Sequence, residues 1–192
     1  MPRAAVARVG VQGPGALLGS AGEITGVGLL RREGETKQMP PFWETGMVGV
    51  AVEIDPETGA VAVDQLVTVA DVGFAINPQA VEGQDLGAAT QGLGGALYEE
   101  LVYDGPQLAN ANVVDYRVPR VGDMPRKIDL ILAERRDGVG PYGAKGAGEG
   151  QLNPIGGAVA AAVARAVGRW PTRLPLTPER VWRLANDLPE TD

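Results

Sequence analysis

The chain has 192 residues, 44% of them apolar, a composition that suits one ordinary globular domain or two small ones. Its formal net charge of -7 argues against a nucleic-acid groove or an acidic membrane surface as partner. Cysteine and histidine are both absent, which excludes a disulfide, a thiolate nucleophile, an iron–sulfur cluster and the usual zinc sites on this chain, and leaves proton transfer to a carboxylate, Lys or Tyr.

No apolar run approaches the ~20 residues of a bilayer span, and no charged-then-apolar signal opens the chain, the pattern of a cytoplasmic protein. The 28 glycines and 15 prolines are spread among apolar segments, as in a loop-rich folded chain rather than a disordered one. Residues 1–45 read as a loosely structured N-terminal segment: Gly13-Pro14-Gly15 and the glycines from Gly19 to Gly28 break up short apolar runs, and a polar connector follows from Arg31 to Lys37. Such a segment either expects a neighbour or is a frayed terminus.

The readable domain is 46–192. Met47 to Ile54 alternates, Asp55-Pro56-Glu57-Thr58-Gly59 turns, and Ala60 to Ala70 alternates again, which predicts a β-hairpin. Asn77 before Pro78 favours an extended or turn conformation. From Val81 to Val102 helix propensity is weakened by glycine, yet Gly83 and Gly87 lie four apart, with Gly94 and Gly95 on roughly the same side. Gln84 and Gln91 are seven apart and superpose on one helix face. Two stacked amides beside bare backbone can read the edge of a heterocycle, or can simply be solvated on a packing helix. Ala109 to Pro119 and Lys127 to Ala133 read as short strands. Asn153 is a plausible N-cap with Pro154 opening a helix to about Val167 and Gly168 as its stop; Thr177-Pro178-Glu179 opens a last helix.

Between these lies Gly138 to Gly150, in which six of thirteen residues are glycine and which carries Lys145 and Glu149. Glycine at this density costs backbone entropy, so it implies positive φ or close approach to another group. A glycine-rich ribbon feeding a helix N-terminus gathers unpaired N–H groups suited to an anionic ligand, with Glu149 as a base facing it; the alternative is a tight packing turn with Glu149 solvated or capping. Lys145 lacks the flanking Gly and Ser/Thr of a phosphate loop, and Leu97 stands where Gly92-Leu93-Gly94 would need a third dinucleotide-binding glycine.

Five segments, in order, resemble the C-terminal part of the molybdopterin-binding subunit of the xanthine dehydrogenase / aldehyde oxidase / carbon monoxide dehydrogenase family. They are Asp55 to Gly59 with Asp71-Val-Gly…Ile-Asn-Pro78; Gly83-Gln84…Gln91-Gly-Leu-Gly94…Glu99-Glu100; Asp115-Tyr-Arg-Val-Pro119…Asp123-Met-Pro125; Gly143-Ala-Lys-Gly-Ala-Gly-Glu149; and Leu174 to Arg180. The resemblance implies an α+β fold of mixed β-sheets packed with helices, part of a molybdenum-cofactor-binding domain. It also implies oxidative hydroxylation of an aldehyde, N-heterocycle or related small molecule, with Glu149 as the base beside molybdenum. Gln84 would hydrogen-bond the molybdopterin, usually a cytosine dinucleotide in bacterial relatives; Lys145, Gly146, Ala147 and Gly148 would touch it by backbone, and Gln91 would lie near. No residue of this chain is implied as a metal ligand. Iron–sulfur clusters and FAD are expected on partner chains, and the remainder of the molybdenum subunit must come from elsewhere, because the family subunit is far longer. Ala161 and Arg165 stand where the family often has Asn and Asp. The alternative is a truncated, non-catalytic remnant or assembly module that keeps the fold without cofactor.

Overall fold

The computed structural model describes residues 7–11, 24–28, 44–138 and 140–189. The chain forms two compact units, Met1–Pro41 and Phe42–Asp192. In the first, β1 (Ala7–Val11) pairs antiparallel with β2 (Ile24–Gly28); most of the segment 1–45, expected to be loose, lies outside the described residues.

The second unit is built on the predicted hairpin. β3 (Thr45–Ile54) and β4 (Val61–Asp71) pair antiparallel around the Asp55–Gly59 turn, where Asp55 Oδ1 accepts the Glu57 N–H and Gly59 takes a φ of 72°. Later in the chain β7 (Lys127–Leu132) adds to the other side of β4 in parallel, so the three-stranded sheet is mixed, in the order β3-β4-β7. Helices α1 (Pro78–Leu97), α2 (Leu152–Val167) and α3 (Pro178–Ala185) complete the α+β unit. Between α1 and β7, β5 (Tyr103–Asp104) and β6 (Gln107–Leu108) form a small separate hairpin.

A β-bulge decides what the sheet buries. Ala51 pairs with Gln65 but Val52 pairs with Val63, so Asp64 is an extra residue on β4. The inward set therefore changes phase from Val63 to Leu66, Thr68 and Ala70, all buried, while Val67 and Val69 turn to the other face. Leu66 and Val63 join Leu93, Ile155, Val159 and Val181 in the main core.

Glycine does not stop α1. Asn77 caps it by accepting the Ala80 N–H at 3.1 Å, and Pro78 supplies a first-turn residue whose missing N–H is not needed. Val81, Ala88, Ala89, Leu93 and Ala96 then bury one side, and tertiary burial outweighs the propensity loss. Gly92 is required by packing: a Cβ there would stand 2.9 Å from Ile155 on α2.

Two local expectations are corrected. Ala109 to Pro119 is not a strand, because Asn112 Oδ1 takes the N–H groups of Val114 and Asp115 and turns the chain. The α2 N-cap is Gln151 rather than Asn153; Pro154 is accommodated in the first turn, where no intrahelical N–H bond is lost. Gly168 ends α2 at φ 79°, and Thr177 caps α3. Among the described residues no helix is long and apolar enough to cross a membrane.

Candidate functional site

The glycine-rich ribbon is pinned to the end of β4. Asp71, the last residue of that strand, accepts the Gly73 N–H through Oδ1 and the Lys145 ammonium through Oδ2 at 2.8 Å. Asp137 takes the other side of Lys145 at 2.7 Å. These partners, Asp137 first and then Asp71, hold the Lys145 pKa above the ordinary lysine value, and Lys145 in turn holds the Asp71 carboxyl below its usual range. The backbone follows: Lys145 donates to the Val72 carbonyl at 2.8 Å, and Phe74 donates to the Gly143 carbonyl at 3.1 Å. Gly73 has φ 68°, and a side chain there would strike the Gly143 carbonyl at 2.2 Å, so glycine is needed twice over. Nearby, the Arg136 guanidinium lies 4.6 Å over the Phe74 ring and Tyr142 packs against Phe74 at 5.9 Å.

This fold-back opens a cavity of about 200 Å³ between the ribbon and the start of α1. Gln84, Lys145 and Ala147 line it together, with Asn77 and an apolar wall that includes Phe74 and Val81. Gly146 and Gly148 flank Ala147 in the chain but are not in the cavity wall, and neither are Gln91 and Glu149, which are both exposed. Gln84 and Gln91 share the exposed side of α1, where Gly83, Gly87 and Gly95 present bare backbone: a Cβ at any of them, or at Gly148, meets nothing within 4 Å. Gly94 departs from that stripe and packs against Glu99 and Pro119. Among the described residues no hydrogen bond takes up the N–H groups of Gly146 and Ala147. The Gln84 amide and the ribbon backbone at Ala147 on one cavity, with the free Gly146 N–H next to it in the chain, fit a flat anionic cofactor laid along backbone.

Beside the ribbon lie polar residues that sequence reasoning missed. Gln151 is 0% exposed, Glu44 is partly buried against Gly150, and Asp85, 1% exposed on α1, acts on Glu44 by its charge. Burial drives the Glu44 pKa up, the Asp85 charge adds to that rise, and the Gly148 N–H and Gln151 amide oppose it. Burial likewise raises Asp85. Asp85 was findable: Val81 four residues before it and Ala88 and Ala89 three and four after it mark the apolar face of α1. Among the described residues no group of three or more acids is placed to hold a metal ion.

The architecture is thus an α+β domain with a candidate site built from backbone and amides. The sequence model of the molybdopterin cofactor-binding domain matches residues 14–125, more than half of the 192. The chain belongs to that family, as found in molybdenum-binding subunits of the xanthine dehydrogenase and aldehyde oxidoreductase type. It is 37% identical over 147 residues to the 6-hydroxypseudooxynicotine dehydrogenase complex subunit gamma of Paenarthrobacter nicotinovorans, covering 74% of this chain and 18% of that one. A probable hypoxanthine oxidase of Escherichia coli (strain K12) is 31% identical over 191 residues, covering 92% of this chain and 20% of that protein. Among solved structures, quinoline 2-oxidoreductase from Pseudomonas putida 86 matches with a TM-score of 0.64 at 36% identity, over 72% of this chain and 18% of the other. Aldehyde oxidoreductase from Desulfovibrio gigas matches with a TM-score of 0.68 at 32% identity, over 74% and 15%. The chain spans about a fifth of the length of the curated relatives it matches.

Proposed function

We propose that this chain is the C-terminal component of a molybdenum hydroxylase, supplying the active-site base Glu149 and part of the molybdopterin site, and that it acts only with the remainder of the molybdenum subunit. The reaction is oxidative hydroxylation of an aldehyde, an N-heterocycle or a related small molecule, with water as oxygen source. The observation that carries this reading is the cavity in which Gln84 of α1 meets Lys145 and Ala147 of the ribbon.

When bound, the molybdenum–molybdopterin group supplies redox chemistry and a Lewis-acid centre that makes a nearby water more acidic. The residues of this chain hold and serve it. The Gln84 amide donates and accepts at the edge of the pterin, with Gln91 two turns further along the same face. Gly146, Ala147 and Gly148 offer backbone at close range, and Lys145 acts by fixing the ribbon through Asp71 and Asp137. Glu149 is a carboxylate one residue beyond Gly148, free to receive the proton released as the oxygen nucleophile attacks. In this reading 46–192 is a partial cofactor-binding domain, and the protein is cytoplasmic. Iron–sulfur and FAD subunits take the electrons, and the pterin is the cytosine dinucleotide form.

In the assembled enzyme, Glu149→Gln should lower turnover by at least about 100-fold, the low end of general-base contributions, with molybdenum and pterin content unchanged. Wild-type turnover in that variant would remove Glu149 from the mechanism. A complex that purifies without molybdenum or pterin would instead favour a non-catalytic assembly module.

A further inference from the structure

The ribbon that bears Glu149 is gripped from below on both sides of that residue. The Glu44 carboxyl fills the space above Gly150: its Cδ, Oε1 and Oε2 lie 2.5, 2.6 and 2.7 Å from where a Gly150 Cβ would stand. In return the Gln151 amide fills the space above Gly46, with Nε2 and Oε1 2.5 and 2.8 Å from a Cβ there. The start of β3 and the ribbon thus exchange one side chain each, every one seated over a glycine of the other. The Gly148 N–H and the Gln151 amide both face the Glu44 carboxyl. These approaches are close and electrostatic rather than closed hydrogen bonds, since Glu44 Oε1, both Gln151 amide atoms and both Asp85 oxygens lack a hydrogen-bond partner among the described residues. Asp85 joins from α1, one residue after Gln84, near enough for its charge to act on Glu44.

Polar atoms buried in this way cost stability, and a core needs none of them. Their placement has a geometric consequence: Gly150 and Gln151, directly after Glu149, are held against the start of β3, and the Gly148 N–H before it faces Glu44, while Glu149 stays exposed. We propose that Glu44 and Gln151 are positioning residues, a polar clasp between the start of β3 and the ribbon that sets the direction of the Glu149 carboxylate. The role rests on the reading of Glu149 as the base; the clasp itself is a property of this chain.

Residue-resolved amide exchange in the full chain tests it, with kinetics on the assembled enzyme as a second arm. Removing the carboxyl in Glu44→Leu should speed exchange at Leu152, whose N–H bonds the Glu149 carbonyl at 3.1 Å, by about tenfold or more while Leu66 in β4 keeps its protection. Glu44→Gln keeps an oxygen in the same seat and should restore it. In the assembled enzyme Glu44→Leu should lower kcat with KM and molybdenum content unchanged, and Glu44→Gln should recover it. Wild-type exchange in Glu44→Leu overturns the clasp, and so does a Glu44→Gln chain as loose as Glu44→Leu. If Glu44→Leu does not fold, Gly46→Ala displaces the Gln151 amide without touching Glu44, and faster or unchanged exchange at Leu152 supports or overturns it alike. Glu149→Gln should keep wild-type exchange, so a fully active Glu149→Gln enzyme would end the assignment of the base and leave the clasp standing.

Discussion

Lys145 and Asp71 are 74 positions apart in the chain, yet their charged atoms meet at 2.8 Å with only 11% and 14% of the two side chains exposed. The pair joins the end of the central strand to the ribbon, so what brings Ala147 to the cavity is a largely buried ion pair. Replacing Lys145 by Met removes the cation that Asp71 and Asp137 share, leaving Asp71 only the more distant Arg135 charge. The expected cost at neutral pH is about 1–3 kcal/mol by denaturant unfolding, below that of a fully buried pair because water reaches part of it. The sign with pH is set by Asp71, whose folded pKa is lowered by Lys145: its contribution is present above the unfolded carboxylate value and lost as pH falls through the lower folded one. The Lys145 contribution, with a raised pKa, persists through neutral pH and is lost only as pH rises through that raised value. The gap between wild type and Lys145→Met should therefore narrow below about pH 4. A gap that stays constant would assign the loss to packing of the lysine stem.

Two glycines of α1 should respond oppositely to the same change. Gly87→Ala adds a methyl group into open space on a helix interior, and should stabilise the chain by about 0.5–1 kcal/mol. Gly92→Ala drives a methyl group to 2.9 Å from Ile155, which is itself wholly buried, and should cost about 1–3 kcal/mol net of the propensity gain. Thermal unfolding of both variants checks the pair. In the assembled enzyme the order reverses in one respect: Gly87→Ala intrudes on the face that carries Gln84 and Gln91, and should lower molybdopterin retention despite the gain in stability. Full retention would show that the bare face of α1 approaches neither cofactor nor partner backbone.

Much of the architecture was legible because local signals agreed. The hairpin announced itself by alternation around Asp55–Gly59, and the last helix by Thr177-Pro178-Glu179; both stand where expected. Glutamines seven apart proved to share one exposed face of α1. Other features depended on contacts that no local pattern carries. The bulge at Asp64 changes which residues of β4 face inward, so Thr68 is buried although the apolar alternation through Val67 and Val69 points the other way. Asn112 turned an apparent strand into a loop through its own side chain. Glu44 sat in a stretch read as loose, and its role became visible only when Gly148, Gly150 and Gln151 were folded over it, more than a hundred residues later in the chain. Lys145 looked like a cofactor contact from its motif, and the structure adds that its ammonium is engaged by two carboxylates.

Asp85 gives the sharpest pH test. It is 1% exposed, both its oxygens lack a hydrogen-bond partner among the described residues, and its charge acts on the Glu44 carboxyl, which the Gly148 N–H and the Gln151 amide face. Its pKa and that of Glu44 are raised, so the folded chain holds protons there that the unfolded chain releases. That contribution is fully present below the unfolded values of 3.8 and 4.5 and is lost as pH rises through the raised folded ones. Asp85→Asn removes one buried acid and keeps the shape, so at pH 7 the variant should be more stable than wild type by about 1–3 kcal/mol, with the advantage vanishing near pH 4. Comparing variant with wild type at each pH cancels the opposite trend from Asp71 and Glu100, whose lowered pKa values weaken both proteins equally in acid. Denaturant unfolding across pH 4–8 measures the difference directly. A difference that does not change with pH would mean that the new amide alters packing rather than charge, and a variant weaker than wild type at pH 7 would mean that the Asp85 carboxylate is held by a favourable partner when ionised.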